Sequence, residues 1–262
     1  MDIRFQDLEY QSRHMRAKHI IVNEKEAGPT LVFLHEGLGC LEMWKDFPEK
    51  LCQETGVNGF VYERIGFGQS APLGQVPRPV DYLDREGRDI LPVVLEQAGI
   101  ETPFLVGHSD GGSIALVYAA YHPDKPVGVI TEAAHVFVEN ITIDGIVEAG
   151  KIYFKDDTLK NRLARYHGDN TDKAFRGWHD TWLTPNFRQW NMEDLLPKIT
   201  CPLLVMQGID DEYGSQLQVQ SIVEKSQGAA TPVMIPDCAH IPHFQAQRPV
   251  LDAMKKFIKK TV

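Results

Sequence analysis

Cysteine is scarce and unpaired in this chain. Its four cysteines, Cys40, Cys52, Cys201 and Cys238, show no CxxC spacing, so neither a disulfide framework nor a thiolate metal site is indicated. No run approaches the ~18 apolar residues of a membrane span, and no membrane partner is expected. The start, MDIRFQDLEYQSRHMRAK, lacks the continuous apolar core of a signal peptide, and the expectation is a reducing, cytoplasmic setting with all four thiols free. Positive charge is in the minority, 27 basic against 36 acidic side chains for a net charge of -9, which speaks against nucleic acid as a partner. The one basic cluster, KKFIKK from Lys255 to Lys260, reads as the solvated face of a final amphipathic helix, favoured by its position near the helix C-terminus. Internal repeats and low-complexity stretches are absent.

What is present is an ordinary globular composition, 43% hydrophobic and 24% charged, in a length of 262 residues that suits one large domain with an insertion. Near-continuous apolar runs read as buried parallel strands: TLVFLH from Thr30, GFVYE from Gly59, PFLVG from Pro103, VGVIT from Val127, PLLVMQG from Pro202 and TPVMIP from Thr231. AKHIIVN from Ala17 is a weaker candidate. Helix-like stretches alternate with these runs, which predicts an α/β fold with a mostly parallel sheet flanked by helices. Pro48 and Pro92 should restart or kink two of the helices. From Ala134 to Lys198 the rhythm breaks into charged, aromatic-bearing helical sequence, too long for a loop in a compact domain. The expected organisation is therefore a core of residues 1–133 and 199–262, with a helical cap of residues 134–198.

The segment PFLVGHSDGGSIALVYAAYHP joins a strand to a helix through Gly107-His108-Ser109-Asp110-Gly111. A serine hydroxyl is a poor nucleophile at neutral pH and needs a base and oxyanion donors. The G-x-S-x-G spacing makes a tight strand-to-helix turn that lifts Ser109 out at the helix N-terminus, with the Asp110 N–H aimed where negative charge would develop. Downstream, MQGIDDEYGS places Asp210, Asp211 and Glu212 after a strand, and MIPDCAHIPHFQ places His240 after the last one. Chain order Ser, Asp, His is that of a nucleophile-elbow hydrolase.

These segments resemble the α/β-hydrolase fold serine hydrolases over nearly the whole chain. FLHEGLGC resembles the family's oxyanion turn, YERIGFGQS its acidic-x-x-Gly-x-Gly-x-Ser segment, QGIDDEYG its acid turn and CAHIPHFQ its histidine loop. The resemblance implies Ser109 as nucleophile, His240 as general base and Asp211 as the orienting acid, with Asp210 and His243 as the alternatives. It implies oxyanion donors at the N–H groups of Asp110 and of Leu38 or Gly37. Glu36 stands where relatives carry glycine, and is read either as tied to neighbouring backbone or Arg64, or as an acidic wall against anionic substrates. Cys40, with no histidine placed as its base, is read as a packed thiol.

Serine at the elbow favours acyl chemistry, with carboxylic esters of small to medium size as the expected substrates. Lactones and vinylogous diketones are the alternatives, and a non-catalytic ligand receptor on the same fold is the competing class. Glu36, His108, Phe137, Trp178, Trp182 and Tyr213 are the candidate pocket residues. Neither metal nor organic cofactor is expected, and the chain should act as a monomer or homodimer.

Overall fold

The computed structural model describes residues 1–24, 28–155 and 157–262. Eight strands form one sheet in the order β1-β2-β4-β3-β5-β6-β7-β8. They are β1 (Asp2–Tyr10), β2 (Arg13–Ile21), β3 (Thr30–Leu34), β4 (Gly59–Tyr62), β5 (Pro103–His108), β6 (Gly128–Glu132), β7 (Leu203–Gly208) and β8 (Ala230–Ile235). Strands β3 to β8 pair in parallel, whereas β2 runs antiparallel to both β1 and β4. The helices are α1 (Phe47–Thr55), α2 (Tyr82–Arg85), α3 (Leu91–Gln97), α4 (Asp110–Tyr121), α5 (Asn140–Lys155), α6 (Thr158–His167), α7 (Thr171–Trp182), α8 (Gln216–Lys225), α9 (Pro242–Gln245) and α10 (Gln247–Thr261).

Alternate residues of the central strands point to opposite faces, and both faces are covered, which is why these strands read as unbroken apolar runs. Leu31, Phe33, Val61, Phe104 and Val106 pack against Phe47 and Leu51 of α1 and Val250, Met254 and Ile258 of α10. Val32, Leu34, Phe60 and Leu105 pack against α3, α4 and α8 on the other face. Helix α4 is buried from Asp110 to Ala120, as its unbroken apolar run requires.

The two prolines act as expected, with detail the pattern did not carry. Pro48 lies in the first turn of α1, after a short 3₁₀ turn at Glu42–Trp44. Pro92 lies in the first turn of α3, and a π-helical turn at Glu86–Ile90 joins α3 to α2 in place of a simple kink. Two strands depart from expectation. β1 was not anticipated, because DIRFQDLEY is a largely exposed, charge-bearing edge strand. β8 is also an edge strand, and its exposed or half-exposed residues correct the reading of a strand covered on both faces.

Between β6 and β7 the chain leaves the sheet to form α5, α6 and α7. These helices share a small core of Tyr153, Leu163 and Phe175, with the Tyr153 and Phe175 rings stacked 3.6 Å apart. All four cysteines are buried and free. Among the described residues no helix is long and apolar enough to cross a membrane.

Candidate active site

The register of the parallel strands sets the site. Leu34 of β3 aligns with Gly107 of β5, and His108 aligns with Glu132 of β6, so the chain emerges from several strands at one level. That is the edge of a parallel sheet where ligands bind in open α/β folds. Ser109 follows β5 directly, with φ 51° and ψ -118°, a strained backbone for a non-glycine residue. Its N–H donates to the Glu132 carbonyl at 2.8 Å, and its own carbonyl accepts from Gly112 and Ser113 as α4 begins. The turn requires glycine at 111, since a Cβ there would collide with the Leu34 carbonyl of β3.

Ser109 Oγ lies 3.0 Å from His240 Nε2, and His240 Nδ1 lies 2.8 Å from Asp211 Oδ1. With Nδ1–H donated to the carboxylate, the Nε2 lone pair faces the serine hydroxyl. Asp211 Oδ1 also accepts the Tyr213 N–H at 2.9 Å, which holds the acid turn closed. Burial alone would push the His240 pKa down; the charge and hydrogen bond of Asp211, with the charges of Glu212 and Glu36, outweigh it and leave the pKa raised. Asp211 shows the reciprocal balance: burial would raise its pKa, but His240 keeps it lowered. Asp210 is exposed and Asp211 buried, so the structure brings Asp211 and not Asp210 to the histidine.

The loop that carries His240 is fastened on all sides. Its N–H donates to Glu212 Oε2 at 3.2 Å, and its carbonyl accepts from His108 Nε2 at 2.7 Å. Gln245 Oε1 accepts the N–H groups of Ala239 and Ile241 at 3.1 and 3.0 Å. His243 is buried against Glu132, 2.6 Å away, as a packing and hydrogen-bonding residue. His135 donates from Nε2 to the Tyr213 carbonyl at 3.0 Å.

Around the oxyanion turn the structure narrows the sequence expectation. The Leu38 N–H donates to Glu36 Oε2 at 2.6 Å, which withdraws Leu38 from the pair of candidate donors and leaves Gly37. Asp110 opens α4, where the first N–H groups have no acceptor within the helix. Arg64 braces the turn by donating Nη2 to the main-chain oxygens of His35 at 3.1 Å and Glu36 at 2.6 Å, rather than to the Glu36 carboxylate. The Asp110 carboxylate, buried at 2% exposure, accepts from Tyr82 Oη at 2.7 Å and lies 3.6 Å from Arg64 Nη1. It therefore faces inward and does not line the cavity described below.

Ser109 and His240 open onto a cavity of about 250 Å³. Glu36, Trp178 and Tyr213 line it as expected, and His108 and Trp182 contribute only edges, being 1% and 2% exposed. Phe137 does not line it. It sits half-buried against the main core, where its backbone bridges to Asn191. Cys40 is fully buried, and burial pushes its thiol pKa up, as a packed thiol requires.

Residues 31–253 match the family described as Alpha/beta hydrolase family. The chain belongs to the alpha/beta hydrolase family. The proline iminopeptidase of Lactobacillus helveticus (strain DPC 4571) is 30% identical to this hydrolase over 233 residues, covering 73% of this chain and 77% of that one. The human protein called serine hydrolase BPHL is 25% identical over 190 residues, covering 69% of this chain but only 62% of its own length. The solved 2-hydroxy-6-oxo-6-phenylhexa-2,4-dienoate hydrolase of Rhodococcus sp. strain RHA1 shares the fold with a TM-score of 0.80 at 15% identity, covering 99% of this chain and 98% of that one.

Several residues of this hydrolase's site carry no sequence signal of their own. Glu212 was read only as one of three acids in a turn. His135 and Tyr82 reach the site through contacts spanning 78 and 28 residues. His167 of α6 accepts the Gly68 N–H at Nδ1 (2.9 Å) and donates from Nε2 to the Leu38 carbonyl (2.8 Å), clipping the inserted helices to the oxyanion turn.

Proposed function

We propose that this hydrolase cleaves carboxylic esters of small to medium size through an acyl-enzyme on Ser109. The observation that carries the reading is the hydrogen-bond chain Ser109–His240–Asp211, at 3.0 and 2.8 Å, opening onto the cavity. Ser109 Oγ attacks the ester carbonyl while His240 Nε2 takes its proton, and Asp211 stabilises the imidazolium. The Gly37 and Asp110 N–H groups are the donors for the tetrahedral oxyanion. His240 then passes the proton to the departing alkoxide. Water, losing a proton to His240, attacks the acyl carbon, and Ser109 recovers its proton as the acid leaves.

In this reading residues 134–198 act as a cap. Thr142 and Ile146 of α5, Leu159 and Leu163 of α6 and Trp178 of α7 face the cavity, so substrate size is set by the insertion and not by the sheet. A half-open, largely apolar space of about 250 Å³ suits short acyl chains better than a long-chain lipid.

The test is hydrolysis of p-nitrophenyl esters from acetate to dodecanoate by wild type and Ser109→Ala. The expected result is a rate maximum at short chains that disappears in the variant. Wild type inert to every ester, yet labelled at Ser109 by a fluorophosphonate, would move the reading to lactones or vinylogous diketones. Failure of both turnover and labelling would favour a receptor.

A further inference from the structure

The turn that bounds the oxyanion site carries a carboxylate that forms no ion pair among the described residues, Arg64 and His240 acting on it only through longer-range charge. Glu36 lines the catalytic cavity together with Ser109 and His240. Its one hydrogen bond among the described residues comes from the Leu38 N–H at 2.6 Å. The nearest buried cation, Arg64, directs Nη2 to main-chain oxygens, and its Nη1 faces Asp110. A second acid, Glu212, also lines the cavity, and Arg162, the one arginine among the described lining residues, is exposed on α6. Glu36 and Glu212 both act on His240 and on the Tyr213 hydroxyl, whose pKa burial and then these charges push up to about 12.

A half-buried carboxylate with no ion-pair partner is unfavourable. Placed beside an oxyanion site it also opposes the charge that develops there. Both penalties fall if the ligand itself brings a positive charge. Next to Glu36 the cavity offers two aromatic rings: the Trp178 indole lies over Gly37, so close that a Cβ on Gly37 would sit 2.5 Å from Cδ1, and Tyr213 meets Trp178 at 6.1 Å between ring centroids. Aromatic faces beside a carboxylate are the surroundings in which ammonium groups bind. Burial raises the Glu36 pKa even against the Leu38 hydrogen bond, so the charge is held reluctantly there.

We propose that Glu36 makes the site selective for acyl groups that carry an ammonium close to the carbonyl, held between the Glu36 carboxylate and the Trp178 and Tyr213 rings. The inference rests on the reading of Ser109 as the nucleophile of an ester hydrolase, and it names the substrate class. Asp110, the other acid beside the serine, has no part in it, because its carboxylate is buried with Tyr82 and Arg64.

The experiment compares p-nitrophenyl esters of three acids: 3-(trimethylammonio)propanoate, its uncharged isostere 4,4-dimethylpentanoate, and succinate. Rates are divided by each ester's own alkaline hydrolysis rate. Wild type is expected to favour the cationic ester at least tenfold in kcat/KM over the isostere and to disfavour the succinyl ester. In Glu36→Gln the cationic-to-neutral ratio should fall towards one. A wild-type ratio near one overturns the proposal without any variant, and a ratio undiminished in Glu36→Gln removes Glu36 from it.

The same ratio is read without turnover from the rates at which a cationic and a neutral fluorophosphonate label Ser109. Labelling with cation preference but no ester hydrolysis would keep the inference and discard the ester reading. Labelling without preference overturns the inference, and no labelling by either reagent overturns both.

Discussion

The Tyr82 hydroxyl donates to Asp110 Oδ2 at 2.7 Å and itself accepts the Trp182 indole N–H at 2.9 Å. One oxygen thus joins α2, the first residue after the elbow serine, and the last turn of α7. All three side chains are buried. Tyr82→Phe removes the donor of a buried carboxylate and the acceptor of a buried indole together. It should lower unfolding free energy by about 1–3 kcal/mol in urea titration. Trp182→Phe, which leaves the Tyr82–Asp110 bond intact, should be milder with respect to that pair.

Asp211→Asn should keep the geometry yet present the wrong hydrogen-bond pattern to His240 Nδ1. In serine triads that defect lowers kcat by roughly 10⁴-fold. Asp210→Asn, at an exposed side chain, should leave kcat within a few-fold of wild type. Steady-state kinetics on a short-chain ester decides between them, and a larger loss in Asp210→Asn would reverse the assignment of the acid.

The pH profile follows from the raised His240 pKa. A base held protonated to higher pH is idle until the pH exceeds that pKa, so the acidic limb of kcat/KM should lie above 6.5, the ordinary imidazole value. Glu212→Gln removes one of the charges that raise it and should move the limb to lower pH. A limb that stays put in this variant would mean that Glu212 does not act on the imidazole.

Much of this was legible in the sequence because it is local. The six strand runs from Thr30 to Thr231 and the G-x-S-x-G turn each declare themselves within a few residues, and the order Ser109, Asp211, His240 needs only their strand contexts. The rest depends on contacts between distant segments. DIRFQDLEY hid a strand because an edge strand with charged residues lacks the apolar run that marks buried ones. Phe137 and His135 are two residues apart, and only the path of the chain after β6 decides that His135 reaches the site while Phe137 joins the core. That the Leu38 N–H is taken up by the Glu36 carboxylate is written in the Glu36 rotamer, which no pattern of residue types contains.

Acid should destabilise the fold through its buried neutral histidines. Burial first of all holds the pKa values of His35 and His108 well below 6.5 and those of His135 and His167 below it. As pH falls through the unfolded value near 6.5, the unfolded chain takes up protons that the folded chain refuses. The stability these groups contribute is full above that pH and is lost below it. His240, Glu63 (pushed up to about 7 by burial) and Glu36, whose pKa values are raised, contribute with the opposite sign, while His19, lowered by burial, adds to the four. Melting temperature measured from pH 8 to pH 5 should therefore fall on the acid side, and His167→Gln should make that slope shallower.

Gly37→Ala would press a methyl group into the Trp178 indole. Its effect on KM should be largely cancelled by Trp178→Ala, so that the double variant is far from the sum of the single ones. Additive effects would mean that the two residues do not meet in the working enzyme.

The helices α5 to α7 all lie between β6 and β7, neighbours in the sheet, so they could in principle be exchanged as a cassette without altering the strand order. The cassette is not indifferent to its socket. His167 plugs into Leu38 and Gly68, and Trp182 into Tyr82, so an exchange between relatives that omitted either contact would arrive with its alignment lost.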